Sequence, residues 1–509
     1  MNFRSILYPG EEGGARAEEA PSFFADLNLD QIVAAVTAGK ADYDLKPFFH
    51  APLATVEAIR YRHEVMRDLE RDEILACVTR FAGRMRRMRE ALERSGKIYH
   101  RQQKLWWFLD AVTVYCEAVE ALLDELDAGE PRSRGMQGFR AWLAEYAAGE
   151  SFAVLTREGR EIKARLAEIE YGLLIRDGSV TVRKYEGEID YSVAVEATFE
   201  KFAQGEGKDY RVRFPEPIEM NHVEAAVVDF VARLYPELFA ELARFCAEHA
   251  DYLDATVGAF DRDVQFYVSY LDYIRPLAAA GLEFCYPRLA VTDKEILSRD
   301  GFDLALARKL TEAGRMVVCN DFALDGRERI IIVSGPNQGG KTTFARMFGQ
   351  IHYLANLGCK VPGREARLLL FDQLFAHFER EEKIENLRSK FEDDLTRVHE
   401  ILERATPRSL IVMNESFSTT ALKDAIFIGR AVMRRIIARD VICLFVTFVE
   451  ELARLSDTTV SMVSTIVPGD PASRTYKIVR LPADGRAYAM AIAEKYRLTY
   501  EALKARVRA

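Results

Sequence analysis

The chain has 509 residues, 49% hydrophobic and 29% charged, with a net charge of −9. That describes a soluble globular protein of several domains and excludes a wholly basic nucleic-acid binder, though not a local basic surface. Seven single cysteines without a CxxC pair give no zinc site or disulfide framework, and the opening MNFRSILYPGEEGG has no signal-peptide core. No run approaches the roughly 18 apolar residues that span a bilayer, so the expectation is a cytoplasmic protein with no membrane partner.

Residues 1–24 read as an N-terminal extension, and 25–177 as a helical part whose apolar residues recur at helical spacing. Within it, residues 80–104 carry nine Lys or Arg against Glu90 and Glu93. Such a run forms either a solvated helix face or a nucleic-acid surface. At 178–218 the texture changes to alternation around Gly187, Gly205 and Gly207, which predicts a small strand-rich insertion. Arg183, Lys184, Lys208, Arg211 and Arg213 there are candidate DNA-backbone contacts. Helical periodicity returns over 219–310, with Pro236 the one proline in its long first stretch.

Residues 311–509 alternate short apolar runs with helices, as a layered α/β domain does. The candidate strands are RIIIVSG, ARLLLFD, SLIVMNE, VICLFVTF and TYKIVRL. After the first comes GPNQGGKT, Gly335 to Thr342, which fits G-x-x-x-x-G-K-[ST] between a strand and a helix. Gly335, Gly339 and Gly340 let backbone N–H groups close around phosphate oxygens. Lys341 adds charge at the β- and γ-phosphates, and the Thr342 hydroxyl can ligate Mg²⁺. The binding set for ATP is Gly335, Pro336, Asn337, Gln338, Gly339, Gly340, Lys341, Thr342 and Thr343.

Glu415 ends the run SLIVMNE and is the candidate catalytic carboxylate, orienting the attacking water on a strand expected to neighbour that of the phosphate loop. Ser389 and Glu392 have capping-box spacing, which predicts a helix start with a hydroxyl suited to a γ-phosphate. In ABC-type ATPases that phosphate belongs to the other subunit, so the active site would be complete only in a homodimer.

Three stretches together resemble the MutS family of DNA mismatch-repair ATPases. They are VVCNDFALDGRERIIIVSGPNQGGKTTFARMFGQIHYLANLGCKVPG, RSKFEDDLTRVHEILERATPRSLIVMNE and PADGRAYAMAIAEKYRL. The likeness is dense over about 315–505 and includes the pair Asn320 and Asp321. It implies a multidomain fold. A mainly α-helical core and lever with a small β-containing, clamp-like tip would precede a C-terminal α/β P-loop ATPase domain of ABC/MutS type. It further implies ATP and Mg²⁺ as cofactors, Ser389 as the signature residue acting in trans, and duplex or branched DNA as partner.

The departures are specific. Asn414 stands where the family has its metal-binding Asp, Phe448 where it has a switch His, and Val317 where an aromatic residue meets the adenine. NESFSTT replaces a Gly-rich turn. A helical part that starts by about residue 25 leaves no room before it for a mismatch-reading or connector domain, and no Smr tail is expected. The implied protein is a DNA-binding ATPase of mismatch repair or recombination that grips DNA shape and backbone as an ATP-controlled dimer. Slow hydrolysis is expected from Asn414 and Phe448. The alternative is an ATP-gated scaffold with negligible hydrolysis, acting on a protein or on a structured RNA such as a ribosome. A P-loop kinase would have no use for Glu415 or the signature helix.

Overall fold

The computed structural model describes all residues except 1–2, 11–16, 188–193, 196, 199–219, 380–389, 418–419, 468–469, 483–503 and 505–509. The chain forms two compact units, one of residues 1–3, 72–131 and 137–261, the other of residues 4–71, 132–136 and 262–509.

In the first unit, helices Asp72–Lys97 and Arg101–Gly129 pack along each other. Ile74, Cys77, Val78, Phe81, Met85 and Met88 recur at three- and four-residue spacing and are all buried, the stripe such a helix needs to bury one face. The basic run 80–104 lies here. Arg80 and Arg84 meet Glu125, Arg89 meets Asp261, Lys97 meets Glu93, and Arg94 lies 4.8 Å from the Trp107 ring centre. Three carboxylates therefore pair with four of the nine cations, and the others stay available on the solvated face.

The helical part read as far as 177 stops in the structure at Ala167. Strands β1 (Tyr171–Arg176) and β2 (Ser179–Lys184) then pair antiparallel across Asp177 and Gly178, both at positive φ. This is the two-residue Asp-Gly hairpin turn, and it begins earlier than the strand texture suggested. The return path is broken into helices His222–Leu234, Pro236–Glu248 and Ala255–Ala279, with Pro236 starting a helix rather than kinking one.

The second unit contains helices Leu29–Val36, Lys46–His50 and Val56–Leu69 as well as the α/β part. Its strands are β3 (Phe284–Cys285), β4 (Arg288–Ala290), β5 (Ile296–Gly301), β6 (Asn320–Leu324), β7 (Ile330–Ser334), β8 (Val361–Pro362), β9 (Glu365–Leu369), β10 (Leu374–Phe378), β11 (Leu410–Asn414), β12 (Ile442–Val446), β13 (Thr459–Val467) and β14 (Asp470–Arg480). Six form the main sheet in the order β10-β11-β12-β7-β13-β14, parallel except for β14 at one edge. β7, β11 and β12 are buried along their whole length, as parallel strands covered on both faces must be. The run ARLLLFD becomes β9, which belongs to a separate four-stranded sheet, β4-β9-β5-β6.

The helix after the phosphate loop, Lys341–Asn356, is buried on nearly every side. It packs on β11 and β12. The N-terminal segment also engages it: Gln350 Nε2 donates to Leu27 O at 2.8 Å, and Tyr353 Oη donates to Phe49 O at 2.8 Å. Among the described residues no helix is long and apolar enough to cross a membrane.

Candidate active site

β7 ends at Ser334 and the chain turns through 335–340 into helix Lys341–Asn356. The turn needs left-handed backbone at Gly335 (φ 117°) and Gly340 (φ 90°), which glycine adopts without steric cost, and also at Gln338 (φ 58°). Close approach adds a second demand. A Cβ on Gly335 would sit 2.9 Å from Ser464 O, and one on Gly339 would sit 2.2 Å from Ser464 Oγ. Ser464, buried on β13, donates its hydroxyl to Gly339 O at 2.7 Å and so ties the loop to the neighbouring strand.

Lys341 is 7% exposed. Its Nζ donates to Gly335 O at 3.2 Å and Pro336 O at 3.1 Å, and stands 3.9 Å from Glu415 Oε1. Burial lowers the Lys341 pKa; the Glu415 carboxylate opposes this, and the nearby Arg474 guanidinium adds to it. Arg474 Nε in turn donates to Asn337 O at 3.2 Å. Two cations therefore face the loop against one carboxylate, an arrangement that favours an anion.

A cavity of about 440 Å³ opens over the loop, within the range of roughly 300–1,000 Å³ usual for small-molecule sites. Gln338, Gly339, Gly340, Lys341, Thr342 and Thr343 form one end, beside Glu415. Leu306, Leu310, Met316 and Val317 form an apolar side suited to a base. Val317 thus lines the cavity, next to Met316, which is 91% exposed. Tyr476 lines it too, held at φ 59°. Sequence reading missed Tyr476, Arg474 and Ser464, since they come from a hairpin of which only TYKIVRL was read as strand. Asn320 and Asp321 turn out to be braces. Asn320 donates to Tyr476 O at 3.1 Å and accepts from Ile478 N at 2.8 Å, while Asp321 accepts from Asp300 N at 2.7 Å.

The acidic strand β11 does not neighbour β7, contrary to expectation; β12 lies between them. The parallel register still aligns their ends, Asn414 opposite Val446 and Val446 opposite Val333. Glu415 N donates to Val446 O at 2.9 Å, so the carboxylate leaves the sheet level with the phosphate loop. Glu415 (φ 53°) and Phe417 (φ 63°) both hold left-handed backbone, which costs on the order of 1–3 kcal/mol each and concentrates at functional turns.

Asn414 Oδ1 is buried and accepts no hydrogen bond from the described residues. Such an orphaned acceptor calls for a partner, and a donor such as a metal-bound water suits it. No cluster of three or more His, Cys, Asp or Glu side chains able to hold a metal occurs among the described residues. The donors present suit Mg²⁺, which the phosphates and the Thr342 hydroxyl would hold and which Asn414 would reach through a bound water. Phe448 is 49% exposed beyond β12 and offers no donor.

Ser389 lies outside the described residues, as do Lys208, Arg211 and Arg213. Arg183 and Lys184 are exposed on β2, with Lys184 Nζ 5.1 Å from the Tyr235 ring centre.

Residues 331–504 match the family model of MutS domain V. The chain is 31% identical over 251 residues to the DNA mismatch repair protein MutS of Solibacter usitatus, covering 48% of this chain and 28% of that one. It is 32% identical over 222 residues to the MutS of Thermosipho melanesiensis, 43% of this chain and 26% of that one. To the endonuclease MutS2 of Thermus thermophilus it is 33% identical over 189 residues, 37% of this chain and 25% of that one. The matches thus span only about a quarter of the length of these relatives.

Proposed function

We propose that this chain, whose residues 331–504 match MutS domain V, binds ATP and DNA and hydrolyses ATP slowly in mismatch repair or recombination, as its similarity to MutS and MutS2 proteins supports. One observation carries the hydrolytic part: the Lys341 ammonium, seated in the phosphate loop, faces the Glu415 carboxylate at 3.9 Å across one cavity. The loop N–H groups and Lys341 hold the β- and γ-phosphates, while the Leu306, Leu310 and Val317 side takes the base. Glu415 orients a water and draws its proton as the water oxygen bonds to the γ-phosphorus. The bond to the ADP oxygen breaks, and ADP and phosphate leave. Mg²⁺, held by Thr342 and through water by Asn414, would neutralise phosphate charge.

The neutral Asn414 accepts more weakly than a carboxylate would, since charge-assisted hydrogen bonds are roughly twice as strong. Phe448 cannot touch a γ-phosphate with a proton. Both substitutions slow turnover, which is completed by Ser389 of a second copy in an ATP-controlled homodimer. DNA is gripped by shape and backbone, with Arg183, Lys184, Lys208, Arg211 and Arg213 as phosphate contacts.

The test is binding to duplex and branched DNA across a salt series, with and without ATP. Phosphate contacts predict a steep negative dependence of log affinity on log salt and a response to ATP. Absence of binding at low salt would discard the DNA reading.

A second reading, an ATP-gated scaffold for a protein or structured RNA, gains from the hairpin in its protein form. Leu173, Ile175, Val180 and Tyr185 are exposed there, Ile175 at 71%. That surface suits an apolar partner better than phosphates.

A further inference from the structure

The turn after the acidic strand poses a problem that its sequence does not solve. Glu415 and Phe417 flank Ser416, both at positive φ, and neither is glycine. Something outside the turn must hold it there. Phe417 is 1% exposed within the core cluster that includes Ile411, Met413 and Phe445, which anchors one side.

The other anchor is polar. His377, on β10 opposite Met413 of β11, is fully buried. Its Nδ1 lies 2.7 Å from Ser416 Oγ. Its Nε2 lies 3.3 Å from Asp394 Oδ1, a close contact with a carboxylate that does not meet hydrogen-bond geometry. Asp394 is itself buried, on helix Lys390–Arg404. A carboxylate only accepts, so the ring proton belongs on Nε2, and Nδ1 then accepts from the Ser416 hydroxyl. The same helix is fixed to β10 a second time, where Arg397 Nη1 donates to Phe378 O at 3.3 Å.

We propose that His377 is a positioning residue for Glu415: it bridges Ser416, next to the acidic residue, and Asp394, on the helix that follows the predicted signature serine. The bridge holds the strained turn so that Glu415 faces the phosphate loop, and any displacement of the helix reaches the carboxylate through one imidazole. A buried bridge at this point does the work that glycines do in a turn free to adopt positive φ. The inference rests on Glu415 being the group that orients the attacking water.

The experiment uses the full chain and two readouts. Ser416→Ala removes one hydroxyl from the bridge. His377→Gln keeps reach toward Asp394 but abandons Ser416, and His377→Asn keeps an acceptor at the Nδ1 position. In single-turnover hydrolysis, Ser416→Ala and His377→Gln should lose about 10- to 100-fold in rate with ATP affinity within about twofold, because a misaimed group costs rate rather than binding. His377→Asn should retain most of the rate.

Hydrogen exchange of the amides at 415–417, read without nucleotide, should quicken about tenfold or more in Ser416→Ala. Wild-type rate together with unchanged exchange in Ser416→Ala overturns the proposal. Faster exchange in a protein whose wild type does not hydrolyse ATP supports the bridge and sinks the hydrolytic reading instead.

Discussion

Replacing Asn414 by Asp restores a charge at the end of β11 and should act in opposite directions with and without nucleotide. Asn414 is 7% exposed, and its Oδ1 accepts no hydrogen bond from the described residues. A carboxylate placed there is a buried anion lacking a donor among the described residues, which costs more than the roughly 1–3 kcal/mol of a neutral unsatisfied group in the nucleotide-free protein. With Mg²⁺ and ATP present, the same oxygen receives a charge-assisted rather than a neutral hydrogen bond. The two differ by roughly 1–1.5 kcal/mol, or about tenfold in apparent Mg²⁺ affinity. Thermal unfolding without nucleotide should show a lower Tm for Asn414→Asp. A Mg²⁺ titration of fluorescent ATP binding should show a midpoint about tenfold lower. An unchanged Mg²⁺ midpoint would refute the placement of Asn414 beside the ion.

Lys341→Met should abolish nucleotide binding and yet raise the Tm of the nucleotide-free protein, read by calorimetry, because a buried ammonium is removed. The sign follows from the lowered pKa of Lys341: the folded state disfavours the charged form, so the cost is full at neutral pH. It fades as pH rises through the window between the lowered value and the ordinary 10.5, and the Tm gain should shrink there. Arg474→Ala should weaken ATP binding about tenfold by removing one of two cations at the loop, measured by equilibrium titration at low salt. Phe448→His, which reinstates a donor, should raise turnover by about tenfold with ATP affinity unchanged.

The phosphate loop was legible in the sequence because its requirements are local: glycines for left-handed backbone, a lysine next to them, a buried strand before and a helix after. The acidic strand was legible for its apolar run, but its neighbour was not. Strand order is a tertiary property, and nothing in SLIVMNE tells that VICLFVTF will lie between it and β7. β10 was missed because LFAHF carries a histidine in an apolar run, and His377 proves to be bonded rather than exposed. Ser464, Arg474 and Tyr476 reach the site from a β13–β14 hairpin with irregular register, where no motif marks them. The hairpin of the first unit was displaced for a simpler reason. The apolar residues of YGLLIR fit helical and extended spacing alike, and only the Asp-Gly turn decides.

The central claim is tested most directly by single-turnover ATP hydrolysis of the full chain, wild type against Glu415→Gln, at matched nucleotide occupancy. The account predicts measurable hydrolysis in the wild type and a rate lower by about 100-fold or more in the variant, with ATP bound equally well. Equal rates in the two proteins would contradict it, and would leave the carboxylate facing Lys341 with no part in the chemistry.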